Sequence, residues 1–289
     1  MGAGKWLILL AGGLVLLFLG FRLGRGSRPS VPAEVGASVA AAGSAAADRL
    51  GAEPDRALAI GNDAPRVADD VRIAIVIDDL GRSLSTLREL QALAVELTYS
   101  VLPYETRTQE VVAHLRQGRL EILCHLPMEA LGLADPGPGA LTRAMSPREL
   151  RQATRAALNA VPGSLGVNNH MGSFLSADRA AMTAILGVLG NRNLYFLDSR
   201  TSPDTVGYTI ARELGLPATE RQVFLDGDRD PAAITEQFHR LVTLARDRGS
   251  AVAIGHPYPE TLDILRREIP RAVDAGVRFV RLSELVDDA

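Results

Sequence analysis

The segment VRIAIVIDDLGRS, residues 71–83, sets six apolar side chains in a nearly unbroken run and then two adjacent carboxylates, Asp78 and Asp79. Similar apolar runs lead into His125 (LEILCHLPME), Asn168 to His170 (SLGVNNHMGS), Asp198 (LYFLDSRTS), Asp226 (QVFLDGDRD) and His256 (SAVAIGHPYPE). Three histidines with two or three aspartates supply imidazole nitrogen and carboxylate oxygen, a donor set that suits Zn²⁺ or another divalent transition metal. Each member alone also has a plainer reading. Asp79 can cap a helix that begins near Ser83, His125 and His170 can be hydrogen-bonded core histidines, and Asp198 can serve turn geometry, as can Asp226, Asp228 and Asp230. The last three imitate only the start of a calcium loop, because Pro231 and Gln237 stand where its glycine and glutamate belong.

The elements that must position this set are legible in outline. Apolar, β-branched runs begin at residues 71, 97, 120, 164, 194, 222, 250 and 277. Helical patterns lie between them. SPRELRQATRAALNAV opens with Ser146, Pro147 and Glu149 as in a capping box, and SADRAAMTAILGVLG is expected to start at Ser176 and stop at glycine. Repeated strand and helix over roughly 220 residues implies parallel strands, in a (β/α) barrel or a doubly wound sheet. The polar residues singled out then fall immediately after strand ends, and in parallel α/β folds those ends share one face.

The 289 residues are 47% hydrophobic and 22% charged with a net charge of −3, enough for a full-sized core and a poor match to nucleic acid. Lys5 is the sole lysine, so neither Schiff-base chemistry nor a P-loop lysine is available to the remainder of the chain. With Cys124 as the single cysteine, no intrachain disulfide can form. Residues 6–21, WLILLAGGLVLLFLGF, are uncharged and apolar between Lys5 and Arg22, Arg25 and Arg28, which reads as an uncleaved membrane anchor within residues 1–26. By the positive-inside rule alone those arginines would hold the C-terminal side of the anchor in the cytoplasm. Residues 27–70 are rich in Ala, Gly, Ser and Pro and read as a flexible tether, leaving 71–289 as one folded domain.

The stretches IAIVIDDLG, ILCHLPMEA, GVNNHMGSFLS, YFLDSRTS and AIGHPYPETL, in this order, resemble the divergent polysaccharide deacetylases, distant relatives of the chitin and peptidoglycan deacetylases. The resemblance implies a distorted (β/α) barrel and a metal-dependent hydrolase acting on a non-peptide amide, an N-acetylated cell-envelope carbohydrate. By that resemblance Asp78 is the general base, and Asp79, His125 and His170 bind a divalent ion, expected to be zinc. His256 protonates the leaving group, Asp198 orients a catalytic group, and Asn169, Glu129 and Tyr258 meet substrate. The resemblance and the tether together place the domain in the periplasm, anchored to the inner membrane.

Departures from the family pattern are visible too. Ile77 replaces the phenylalanine before the acids, Glu129 stands where the second histidine of HxxxH belongs, and the arginine-proline-aromatic motif has no counterpart. With aromatics at 4%, sugar-stacking surfaces are limited to Tyr104, Phe174, Tyr195 or Tyr258. A second reading is therefore a catalytically inactive envelope module that binds a glycan or protein on the same fold. A haloacid-type phosphotransferase is a weaker third, since it needs a DxD spacing and a lysine.

Overall fold

The computed structural model describes residues 70–286, so the expected anchor and tether lie outside the described residues. Among the described residues no helix is long and apolar enough to cross a membrane. Nine strands, β1 Val71–Leu80, β2 Thr98–Val101, β3 Glu121–Met128, β4 Gly166–Met171, β5 Tyr195–Asp198, β6 Ala218–Glu220, β7 Val223–Phe224, β8 Ser250–Gly255 and β9 Val277–Phe279, form one sheet. The order is β6-β5-β4-β3-β2-β1-β8-β7, every pair is parallel, and β9 lies beside the first residues of β1. Helices α1 Leu84–Gln91, α2 Thr108–Gln117, α3 Pro147–Ala160, α4 Arg179–Gly190, α5 Gly207–Glu213, α6 Pro231–Arg248 and α7 Pro259–Asp274 connect them.

Alternation along the strands divides the interior in two. Ile73, Ile75 and Ile77 of β1 pack with Cys124, Val167, Phe196 and the helices, whereas Ala74 and Val76 meet Leu123, Leu197, Val252 and Ile254 in a separate cluster. Strands far apart in the order share that second cluster, so the sheet is curled around it. The curl stays open between β6 and β7, and the chain itself crosses the gap. There the Arg221 amide donates to Asp198 O and the next amide, of Gln222, donates to Val252 O. The barrel is thus an open, curled parallel sheet.

Each expected apolar run contains a strand, and β6, which has no such run, escapes the sequence. The strands also extend farther than the sequence suggests. Asp78, Asp79, His125 and Asn168 to His170 lie within β1, β3 and β4 rather than after them, because β3 and β4 stay paired through His125↔Asn168 and Pro127↔His170. The Ser146 capping box forms as expected. Helix α4, however, is capped by Asp178, whose carboxylate accepts from Ala181 N, and Ser176 sits in a preceding 3-10 turn.

At the opposite end, the barrel floor is tied by Glu121, buried at 2% exposure. Its carboxylate accepts from Thr98 Oγ1, Tyr195 OH, and the amide and hydroxyl of Ser283. The tyrosine reaches it across Gly166, where a Cβ would lie 2.5 Å from the ring. Tyr195 is therefore floor structure and no sugar platform.

Candidate active site

Strand parity decides which polar side chains enter the barrel mouth. Asp78 continues the inward series of Ala74 and Val76, His125 that of Leu123, and His256 that of Val252 and Ile254. Asp79 has the wrong parity. A register shift between Ile77 and Leu80 and a left-handed backbone at Asp79, φ 58°, turn it back toward the site. Met171 and Arg200, both on the cavity wall, are also left-handed, at φ 51° and 48°. Such non-glycine residues cost about 1–3 kcal/mol each and persist where the surrounding structure over-determines them.

Asp79 Oδ1, His125 Nε2 and His170 Nδ1 converge. The carboxylate oxygen lies 3.3 Å from His125 and 2.9 Å from His170, and the two imidazole nitrogens are 3.1 Å apart. A tetrahedron of 2.0–2.1 Å metal bonds has edges of about 3.3 Å, so the triangle is close to one face of such a polyhedron. Asp79 Oδ1 is buried, and among the described residues no N–H donor approaches it other than these two imidazoles. The residues therefore fit a divalent ion. Electrostatics point the same way. Burial opposes ionisation of Asp79, yet the hydrogen bonds and charges of His125 and His170 outweigh it and hold the carboxyl well below its usual range. Burial likewise disfavours charge on His125, and the Asp78 and Asp79 carboxylates overturn it and raise the imidazole.

Asn168, fully buried, sets the orientation of two of these groups. Its Nδ2 donates to Asp78 Oδ1 at 2.9 Å and to Ser199 Oγ at 3.2 Å, and its Oδ1 accepts from Ser100 Oγ at 2.6 Å and faces His125 Nδ1 at 2.9 Å. Because the Asp78 carboxylate only accepts, the amide has one consistent orientation, which puts the His125 proton on Nδ1 and leaves the Nε2 lone pair for the cluster. The sequence set Asn168 in the ring but assigned a role to its neighbour.

The other assignments divide. His256 Nδ1 lies 2.9 Å from Asp226 Oδ1, the Asp226 carboxylate also accepts from His256 N and Thr261 Oγ1, and His256 Nε2 is 3.9 Å from Asp79. Burial would lower His256, but the Asp226 hydrogen bond and charge, with Asp78 and Asp79 behind, raise it. Asp226 is thus the orienting carboxylate, not part of a mere turn, and Asp198 is not. Asp198 has outward parity and gives both oxygens to its own loop, accepting from Arg200 N, Thr205 Oγ1 and Tyr208 N. Glu129 turns away as well. Its Oε2 accepts from Arg143 N at 2.7 Å and closes the base of the 129–143 loop. Asn169 lines the cavity, with its amide engaged by Met171 O, Thr201 Oγ1 and Ser199 N. Tyr258 stacks on His256, centroids 5.3 Å apart, and walls a second recess of about 290 Å³ on the other side of Asp79.

Asp78, His125, His170 and His256 all face a cavity of about 310 Å³, at the small end of ligand pockets. Phe224 and Arg221, which the sequence did not single out, complete its wall.

A family described as divergent polysaccharide deacetylase matches residues 75–286. The chain is 34% identical over 217 residues to the uncharacterized protein YibQ of Escherichia coli (strain K12), covering 75% of this chain and 68% of that one. It is 36% identical over 218 residues to an uncharacterized protein of Haemophilus influenzae, covering 74% and 76%. Among solved structures, the uncharacterized protein ATU2773 of Agrobacterium tumefaciens C58 superposes with a TM-score of 0.70 at 25% identity, covering 75% of this chain and 89% of that one.

Proposed function

The chain belongs to the divergent polysaccharide deacetylases, and from that premise we propose that it is a metal-dependent hydrolase removing acetyl groups from an N-acetylated cell-envelope carbohydrate. The observation that carries the reading is the convergence of Asp79, His125 and His170 at the edge of a cavity that His125 and His170 line together with an inward carboxylate, Asp78, and a carboxylate-paired imidazole, His256. Asp79, His125 and His170 would hold the ion, for which zinc is our choice. Bound there, it supplies Lewis acidity toward an amide carbonyl and a water molecule.

The chain's own residues supply the rest. Asn168 holds one oxygen of Asp78, and the other takes the proton of the attacking water. As the carbon–nitrogen bond breaks, His256, with Nδ1–H held by Asp226, gives its Nε2 proton to the departing amine. Acetate and the free amino sugar result. Phe224, edge-on to His256 on the cavity wall, and Tyr258, stacked on His256 in the neighbouring recess, are the aromatics placed to contact a sugar.

Acetate release from N-acetylated sugar oligomers, with Zn²⁺, Co²⁺ or Ni²⁺ supplied, tests this. Asp78→Asn is expected to lower the rate by about 10²- to 10⁴-fold with metal content retained. No acetate from any such substrate with any of the three ions would sink the enzyme reading. Replacement of the second HxxxH histidine by Glu129 favours the alternative, a non-catalytic glycan- or protein-binding module, which needs neither Asp78 nor the His256–Asp226 pair. For location we propose a domain carried outside the cytoplasm by an anchor in residues 1–26. A reporter fused after residue 289 that is active only in the cytoplasm would overturn it.

A further inference from the structure

Two arginines line the cavity beside the cluster, and they are provided for differently. Arg200 is paired with Glu220 at 2.6 Å. Arg221 is half-buried, and among the described residues no carboxylate forms an ion pair with it. Its Nε donates to Ser199 O at 2.7 Å and its Nη2 to Arg200 O at 2.8 Å, while the guanidinium lies 4.8 Å over the Phe224 ring. These contacts fix the group at the seam between β6 and β7 and, among the described residues, leave its other N–H donors uncommitted. A plainer role as a seam staple accounts for the two carbonyl contacts, but not for a cation on a cavity wall that no carboxylate touches, Asp78 and Asp198 acting on it only at longer range. The inward acids do not neutralise it by contact, since Asp78 is held by Asn168 and approached by His125, and Asp79 belongs to the cluster.

Resting on the deacetylase reading, we infer that the cavity selects N-acetylated sugars that carry an anionic substituent, a carboxylate or a phosphate, and that Arg221 receives that group. A planar guanidinium preorganised by backbone carbonyls and an aromatic face is suited to a bidentate oxyanion. A neutral hydroxymethyl group at the same place would leave the guanidinium without a charged partner.

The test is direct binding, by calorimetry, of three sugars matched except at one carbon: N-acetylglucosamine, its 6-phosphate, and the corresponding 6-carboxylate. The expected result is that at least one anionic sugar binds about tenfold or more tightly than the neutral one, the size of one charge-assisted hydrogen bond. Its identity distinguishes phosphate from carboxylate. The preference shrinks in high salt, falls to about onefold in Arg221→Gln, and is partly kept in Arg221→Lys. Equal affinity for all three sugars, no binding of either anionic sugar at millimolar concentration, or a preference that survives in Arg221→Gln would overturn the inference. Should Arg221→Gln fail to fold because the seam opens, the wild-type ratio and its salt dependence decide alone. Acetate release is read separately, so an active enzyme with no anionic preference defeats only this inference, and a selective binder without turnover defeats only the hydrolase.

Discussion

Replacing Asn168 with aspartate changes one amide nitrogen to oxygen and no shape, yet it should convert the centre of the site into a pH-dependent liability. In the native protein the Asn168 Nδ2 donates to Asp78 Oδ1 at 2.9 Å. A carboxylate in its place faces another at that distance in a buried setting. At an effective dielectric of about 20 the repulsion approaches 5–6 kcal/mol, so the pair takes up a proton instead. Holding one carboxyl protonated at pH 7 against a usual value of about 3.9 costs at most about 4 kcal/mol, from 1.36 kcal/mol per unit. The sign comes from linkage: between pH 4 and the raised native value the folded state binds one more proton than the unfolded state, so stability falls as pH rises. Near pH 4 the shared proton imitates the lost N–H, and the deficit closes. For a domain of this size, at about 2–4 °C per kcal/mol, Asn168→Asp should melt on the order of 8–15 °C below wild type at pH 7 and close to it at pH 4. The comparison is by circular dichroism of both proteins, in chelator, at each pH. A deficit of equal size at pH 4 and pH 7, or none at either, would refute the assigned amide orientation and with it the tautomer of His125.

His125→Ala and His170→Ala should each lose bound metal in elemental analysis of dialysed protein, and chelation should lower the wild-type melting temperature; full occupancy in both variants would dissolve the cluster as a metal site. Glu121→Ala should cost about 3–5 kcal/mol in urea unfolding, since it strands the Tyr195 hydroxyl and the Ser283 amide in the barrel floor. A loss under 1 kcal/mol would mean that solvent satisfies them. Asp226→Asn should move the NMR titration of His256 to lower pH, because the carboxylate that raises it is gone. Asp198→Asn should leave that titration in place and destabilise the 199–208 loop, and the reverse pattern would overturn the outward placement of Asp198 and the inward placement of Asp226.

Strand parity also separates what was readable in the sequence from what was not. The apolar runs announce eight of the strands, and composition together with alternation of strand and helix announces parallel pairing. What the runs conceal is how far pairing continues into polar residues: β4 reads as ending near Asn168 but runs to Met171, since its neighbour β3 offers partners as far as Met128. Asp226 and Asp198 look alike in sequence, each closing an apolar run with Phe-Leu-Asp. They are separated by the side of the sheet on which each lands. Phe196 packs outward among the helices while Leu197 points inward, so Asp198 goes out; Leu225 packs outward, so Asp226 goes in. Counting residues along β5 cannot reveal this without knowing which of its side chains faces the barrel. Asp79 breaks the count altogether, because a left-handed residue and a shifted register return it to the mouth. Its neighbour Asp78 reaches the site by plain alternation. The two adjacent acids thus reach one site by different routes, Asp78 on the wall of the larger cavity and Asp79 between it and the second recess, and the strained one is the member that joins the histidines. A regular strand would have sent one acid inward and the other toward the helices. The bulge in β1 is therefore what allows two consecutive carboxylates to serve a single site.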